Sequence, residues 1–216
     1  MDDKSLRNII LEELDWDPSF DSADIGVQVS DGVVTLTGHV GSYAEKIAVE
    51  RACARVKGVK AIAQDIEIRL PSLKKTADDQ IAKRALDILA WNVSVPHDRV
   101  KVKVQSGFVT LTGECDWQYQ KEAAEEAVRK LSGVVGVSNL VALKPRAFAS
   151  DVKRKIEDAL KRNAEAEASH ISVSVVGGKV TLEGKVRAFH ERSVIESAAW
   201  AAPGVLEVED RVQVTG

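Results

Sequence analysis

The chain has 216 residues, 44% hydrophobic and 29% charged, with 14 glycines and only 5 prolines, which suits a folded chain and excludes a disordered or collagen-like one. A net charge of −3 gives no overall attraction for nucleic acid. Two cysteines, Cys53 and Cys115, are too few for a disulfide framework or a cysteine-based zinc site, and the apolar runs are too short to span a bilayer.

In chain order the first predicted element is a helix, with Leu6, Ile10 and Leu14 on one face at four-residue spacing. An alternating strand, Ile25-Gly26-Val27-Gln28-Val29, follows, with one face buried and one solvated. Asp31-Gly32 suits a tight hairpin turn, and the second strand ends at Gly38 with Val34 and Leu36 facing in. A second helix spans about 42–57 and presents Ala48, Ala52 and Val56, flanked by Val49 and Cys53. Gly58 suits the position just past its end, and a third strand runs from Val59 through Ile62 to Ile68.

The same order then returns twice. Ser30-Asp31-Gly32-Val33-Val34-Thr35-Leu36-Thr37-Gly38 aligns with Gln105-Ser106-Gly107-Phe108-Val109-Thr110-Leu111-Thr112-Gly113 and with Val176-Gly177-Gly178-Lys179-Val180-Thr181-Leu182-Glu183-Gly184, at offsets of 75 and then 71 residues. The first-helix faces recur as Ile81, Ala85 and Leu89 and as Val152, Ile156 and Leu160. The first strand recurs over 100–104 and 171–175, and Gly58 aligns with Gly133 and Gly204, with no internal gap. Turn and cap geometry accounts for Gly32, Gly38 and Gly58, for Gly107, Gly113 and Gly133, and for Gly178, Gly184 and Gly204. The expected fold class is therefore α+β: three tandem αββαβ units, each a small three-stranded sheet with two helices packed on one face. The units span 1–70, 76–145 and 147–216. One unit of this size is marginally stable alone, so contacts between copies matter.

The combined pattern resembles a known family. A helix, then Asp17-Pro18, then Val-x-Val-x-Asp-Gly-x-Val-x-Leu-x-Gly, a helix beginning Glu45-Lys46 and continuing through alanines, and a closing Gly-Val is similar to the BON domain (bacterial OsmY and nodulation). Nearly the whole chain is covered, as three such domains. The resemblance implies a bacterial, non-enzymatic module associated with osmotic stress, envelope integrity and binding of anionic phospholipid. A potassium-binding branch of the family carries a LysM domain, which this chain lacks. The chain opens Met1-Asp2-Asp3-Lys4, acidic where a secretory signal is basic and then apolar. The expected compartment is the cytoplasm, or the periplasm if an export signal has been removed.

Reactive groups do not converge in the sequence. His39, His97, His170 and His190 fall in four different repeat columns, and no helical histidine pair, nucleophile elbow, phosphate-binding loop or calcium loop is present. Cys53 reads as a buried inert thiol and Cys115 as a mildly exposed one. No catalytic residue, metal site or cofactor is expected.

The aromatic and basic residues carry the binding candidates. Trp16 and Trp91 share a column near the end of the first helix, where the third copy has Arg162. They read either as rings packed over the sheet edge or as anchors at a membrane or domain boundary. Trp200 stands opposite the face formed by Val194, Ala198 and Ala202, where its indole needs cover from a neighbouring domain, a second chain or a membrane. With boundaries at 72 and 145, the three copies carry net charges of −5, +2 and 0. Lys101 and Lys103 lie on the solvated face of a strand in the second copy, and Lys153, Arg154, Lys155, Lys161 and Arg162 lie along the first helix of the third. Such residues form either an ordinary solvated face or a patch for anionic lipid. The expected function is a non-enzymatic stress-response protein that engages anionic phospholipid or an envelope component. The alternatives are a cytoplasmic small-ligand or potassium sensor and a scaffold that self-assembles as a homo-oligomer. Nucleic acid is not an expected partner.

Overall fold

The structure is a computed structural model and describes residues 2–70, 76–144, 151–162 and 171–215. Each repeat contributes five regular elements. The first comprises α1 (Asp3–Trp16), β1 (Ile25–Ser30), β2 (Val33–Val40), α2 (Tyr43–Arg55) and β3 (Ala61–Ile68). The second comprises α3 (Asp78–Trp91), β4 (Val100–Gln105), β5 (Phe108–Cys115), α4 (Gln118–Arg129) and β6 (Gly136–Leu143). The third comprises α5 (Val152–Arg162), β7 (Ile171–Val176), β8 (Lys179–Val186), α6 (Phe189–Trp200) and β9 (Glu207–Val214). The fold class is α+β in three αββαβ units, as the repeats require.

Each sheet places its second strand in the centre, in the orders β1-β2-β3, β4-β5-β6 and β7-β8-β9. The hairpin strands pair antiparallel, and β6 and β9 run parallel to β5 and β8. A parallel neighbour needs a crossover, which the second helix supplies. The sequence leaves the strand order open; the helix between the last two strands accommodates their parallel pairing.

The buried face is the one the periodicity marks. Leu6, Ile10 and Leu14, Ile81, Ala85 and Leu89, and Val152, Ile156 and Leu160 are all buried. In the second repeat these meet Val100, Val109, Leu111 and Val141 from the sheet and Ala124, Ala127 and Val128 from α4 in one core. The third repeat repeats the arrangement with Val173, Val180, Leu182, Ile195, Ala199 and Val212. Alanine on the second helix lets its backbone approach the strands closely. Its buried face differs slightly from expectation. In α6 it is Glu191, Ile195 and Ala199, one residue round from the Val194, Ala198 and Ala202 face, because helix and sheet meet on the wider stripe that includes both.

Gly38 and Gly113 close the hairpin where the backbone comes nearest to itself. Their φ values are +113° and +121°, and a Cβ there would collide with the carbonyl oxygens of Asp24 and Arg99. One glycine needs correction. In the third hairpin Gly177 takes the positive φ, at +60°, and Gly178 does not, whereas the first two hairpins put both turn residues there. The third turn therefore follows the II′ pattern and the first two the I′ pattern.

Candidate functional site

The second helices start with a carboxylate or amide folded back on the entering chain. The Gly41 N–H donates to Glu45 Oε2 at 2.9 Å, and the Asp116 and Trp117 N–H groups donate to Gln120 Oε1 at 2.9 and 3.1 Å. Glu191 holds the matching place in α6, accepting from the Arg187 N–H at 3.4 Å, which explains a buried glutamate. These groups are structural. Cys53 is fully buried and its thiol is pushed up to about 12 by burial. Cys115 is buried too, correcting the expected mild exposure. It closes the end of β5, its Sγ donates to the Trp117 carbonyl at 3.3 Å, and desolvation raises its pKa. Neither thiol is a nucleophile at neutral pH. Among the described residues no group of three or more His, Cys, Asp and Glu could hold a metal ion, and His170 lies outside those residues. No helix among them is long and apolar enough to cross a membrane.

The candidate contact residues fall into three sets. Trp16 and Trp91 are each 86% exposed at the last residue of α1 and α3, so neither ring packs over a sheet edge. Val93 stands fully exposed two residues beyond Trp91. Arg162, in the same column, ends α5 and is exposed.

The second set is the open face of the second sheet, opposite its helices. Lys101 and Lys103 on β4 are exposed and oppose Thr112 and Thr110 of β5, with exposed Phe108 and Leu140 on the same face. The Phe108 ring lies against Gly136, where a Cβ would strike it. Lys103, Gln105, Ser106, Phe108 and Thr110 line a shallow depression of about 300 Å³. The corresponding face of the third sheet is instead cross-linked: Lys179 reaches Glu207 at 2.7 Å and Glu209 at 3.1 Å, and Arg211 reaches Glu183 at 3.0 Å.

The third set, the basic helix α5, is largely compensated. Asp151 lies 3.2 Å from Lys155 and 3.4 Å from Arg154, and Lys153 lies 3.7 Å from Glu157. The Lys155 ammonium holds the Asp151 carboxyl below the ordinary aspartate range. Lys161 and Arg162 are exposed in the last turn. Trp200 needs no outside cover. It is half-buried against its own repeat's core, and its indole N–H donates to Glu196 at 3.2 Å.

Two features escape sequence reasoning. The Asp3 carboxylate accepts the N–H groups of Asp31 and Gly32 at 2.8 and 3.2 Å, and Asp78 accepts those of Ser106 and Gly107 at 2.7 and 2.8 Å. Both latches join residues 28 and 29 apart, and the shared column is their only sequence signal. In addition, the Arg7 side chain donates through Nε to the Val27 carbonyl on the outer edge of β1 at 2.9 Å.

The BON domain profile matches residues 2–69, 77–145 and 149–216. The chain is similar to osmotically-inducible protein Y of Escherichia coli (strain K12), 31% identical over 144 residues that make up 64% of this chain and 71% of the relative. Among solved structures it is similar to CdsD, a structural protein of the type III secretion system of Chlamydia trachomatis. That match has a TM-score of 0.27 and 16% identity over 98% of this chain and 92% of the other. The C-terminal domain of CdsD matches with a TM-score of 0.27 at 15% identity, over the full length of both chains.

Proposed function

The chain belongs to the BON domain family, and on that premise we propose that it is a bacterial, non-enzymatic binding protein of the osmotic-stress response that engages anionic phospholipid membrane. The osmotically inducible relative supports the physiological setting. The observation that carries the membrane reading is the pair of tryptophans, Trp16 and Trp91, each 86% exposed at one repeated position. An indole held in water at a helix end is poorly solvated, whereas at a bilayer interface its ring meets acyl chain and its N–H meets headgroup. Arg162 at the third position suits a headgroup phosphate. Two anchors on one chain raise the effective concentration of the second once the first is seated.

The test uses the chain's own fluorescence. Of its 4 tryptophans, Trp117 and Trp200 are replaced by phenylalanine, leaving Trp16 and Trp91 to report. Vesicles of brominated phosphatidylglycerol are expected to shift the emission to the blue and quench it, and vesicles of brominated phosphatidylcholine to do neither. Emission unchanged by the anionic vesicles would contradict the reading.

A further inference from the structure

The outer edge of β4 differs from its counterparts in the other repeats. In a two-residue hairpin the cross-strand pairs alternate between those that exchange hydrogen bonds and those that do not. The register pairs Gln105 with Phe108 next to the turn, so Val100, Val102 and Val104 turn their N–H and C=O groups away from β5. β4 is an edge strand, so those groups face outward. In the first repeat the corresponding outward carbonyl, Val27, is occupied by Arg7. The column of Arg7 holds Ala82 in the second repeat, and among the described residues no side chain donates to the Val102 carbonyl. The column holds Lys153 in the third repeat, and β7 there reads Ile171-Ser172-Val173-Ser174-Val175-Val176, without charge. Among the described residues of β1, β4 and β7, β4 alone combines an unguarded edge with charged side chains, Lys101 and Lys103, both exposed on the open face.

An unguarded edge invites a further strand, and edge lysines restrict which strand. Against the same edge of a second copy, ammonium groups would meet ammonium groups about 5 Å apart, which is repulsive. Against an extended segment with carboxylates at alternate positions, each lysine would meet an acid on the same face. We propose that β4 is a strand-addition site for an extended acidic segment of a partner protein. The segment's backbone bonds to the outward groups of the partly exposed Val102 and Val104, Val100 being buried, and its alternate Glu or Asp side chains face Lys101 and Lys103. The site is independent of the tryptophan anchors and does not rest on the membrane reading.

The test is titration of the full chain into a fluorescein-labelled hexapeptide of alternating valine and glutamate, followed by anisotropy, with a valine–lysine hexapeptide as control. The acidic peptide is expected to bind, the basic one not to, and the backbone amide of Val102 to be protected from hydrogen exchange in the complex. Ala82→Arg places on this edge the guard that Arg7 provides in the first repeat and is expected to weaken binding at least tenfold. Lys101→Glu/Lys103→Glu, on an exposed face away from the core, is expected to do the same. Absence of binding by the natural chain, binding undiminished by Ala82→Arg, or protection elsewhere than β4 would overturn the proposal. A dimer of the chain alone with Val102 already protected would give the edge to a second copy and also overturn it.

Discussion

Asp3 and Asp78 show how one side chain sets a local conformation far away in sequence. Asp31 and Ser106 sit at φ of 53° and 51°, a region costing a non-glycine residue on the order of 1 kcal/mol. In both hairpins a helix-start carboxylate accepts the two turn N–H groups and offsets that cost. In the third repeat glycine occupies the strained position, at Gly177, and the latch column holds Ala149, which lies outside the described residues. The two features go together: where the latch is present a side chain is tolerated in the turn. Asp78→Ala is therefore expected to destabilise the second repeat by about 1–2 kcal/mol, read as faster hydrogen exchange of the β5 core amides in the full chain. Adding Ser106→Gly should recover part of the loss. Unchanged exchange in Asp78→Ala would show that the latch contributes nothing.

At the level of elements, a polar tie joins the second helix to the third strand in every repeat. Lys46 donates to the Ile66 carbonyl at 2.8 Å, Asn139 donates to the Lys121 carbonyl at 2.7 Å, and Arg192 pairs with Asp210 at 2.7 Å. Asn139 and Asp210 also accept the N–H of Val141 and Val212, two residues on, at 3.3 and 2.8 Å, which partly satisfies an edge strand. Asp210→Ala leaves Arg192 partly buried without its carboxylate and frees the Val212 N–H, at an expected cost of about 2–3 kcal/mol. Arg192→Met/Asp210→Leu, which removes both charges, should restore most of it. Thermal unfolding of the full chain checks both, and equal losses in the single and double variants would contradict the pairing. This tie illustrates the limit of sequence reasoning. Hydrophobic period and turn residues are local, so the α-helices and hairpins of the described residues, from α1 to α6, are legible in the sequence. Ties between residues 46 and 66 or 192 and 210 depend on strand order, which no local pattern carries. The same limit applies to Trp200 and Cys115, whose cover comes from the packing of neighbouring elements.

For the molecule as a whole, three copies of one fold have been given three different surfaces. The first carries −5 and the second +2. The third is neutral and its open face is cross-linked by ion pairs. The core columns stay apolar in all three copies, whereas the helix-end column reads Trp16, Trp91 and Arg162. The basic residues of α5 are legible from sequence as a cluster, and their compensation follows from the i,i+3 and i,i+4 spacing of Asp151 and Glu157, which the charge count by itself does not weigh. The proposed membrane contact accordingly falls to the tryptophans, with Lys161 and Arg162 adding salt-sensitive attraction. Co-flotation of the full chain with vesicles measures this most directly. The account predicts flotation with phosphatidylglycerol vesicles at low salt, partial release at high salt, no flotation with phosphatidylcholine, and loss of flotation in Trp16→Ala/Trp91→Ala. A chain that stays at the bottom of the gradient with anionic vesicles, or a double variant that floats as well as the natural chain, would contradict it.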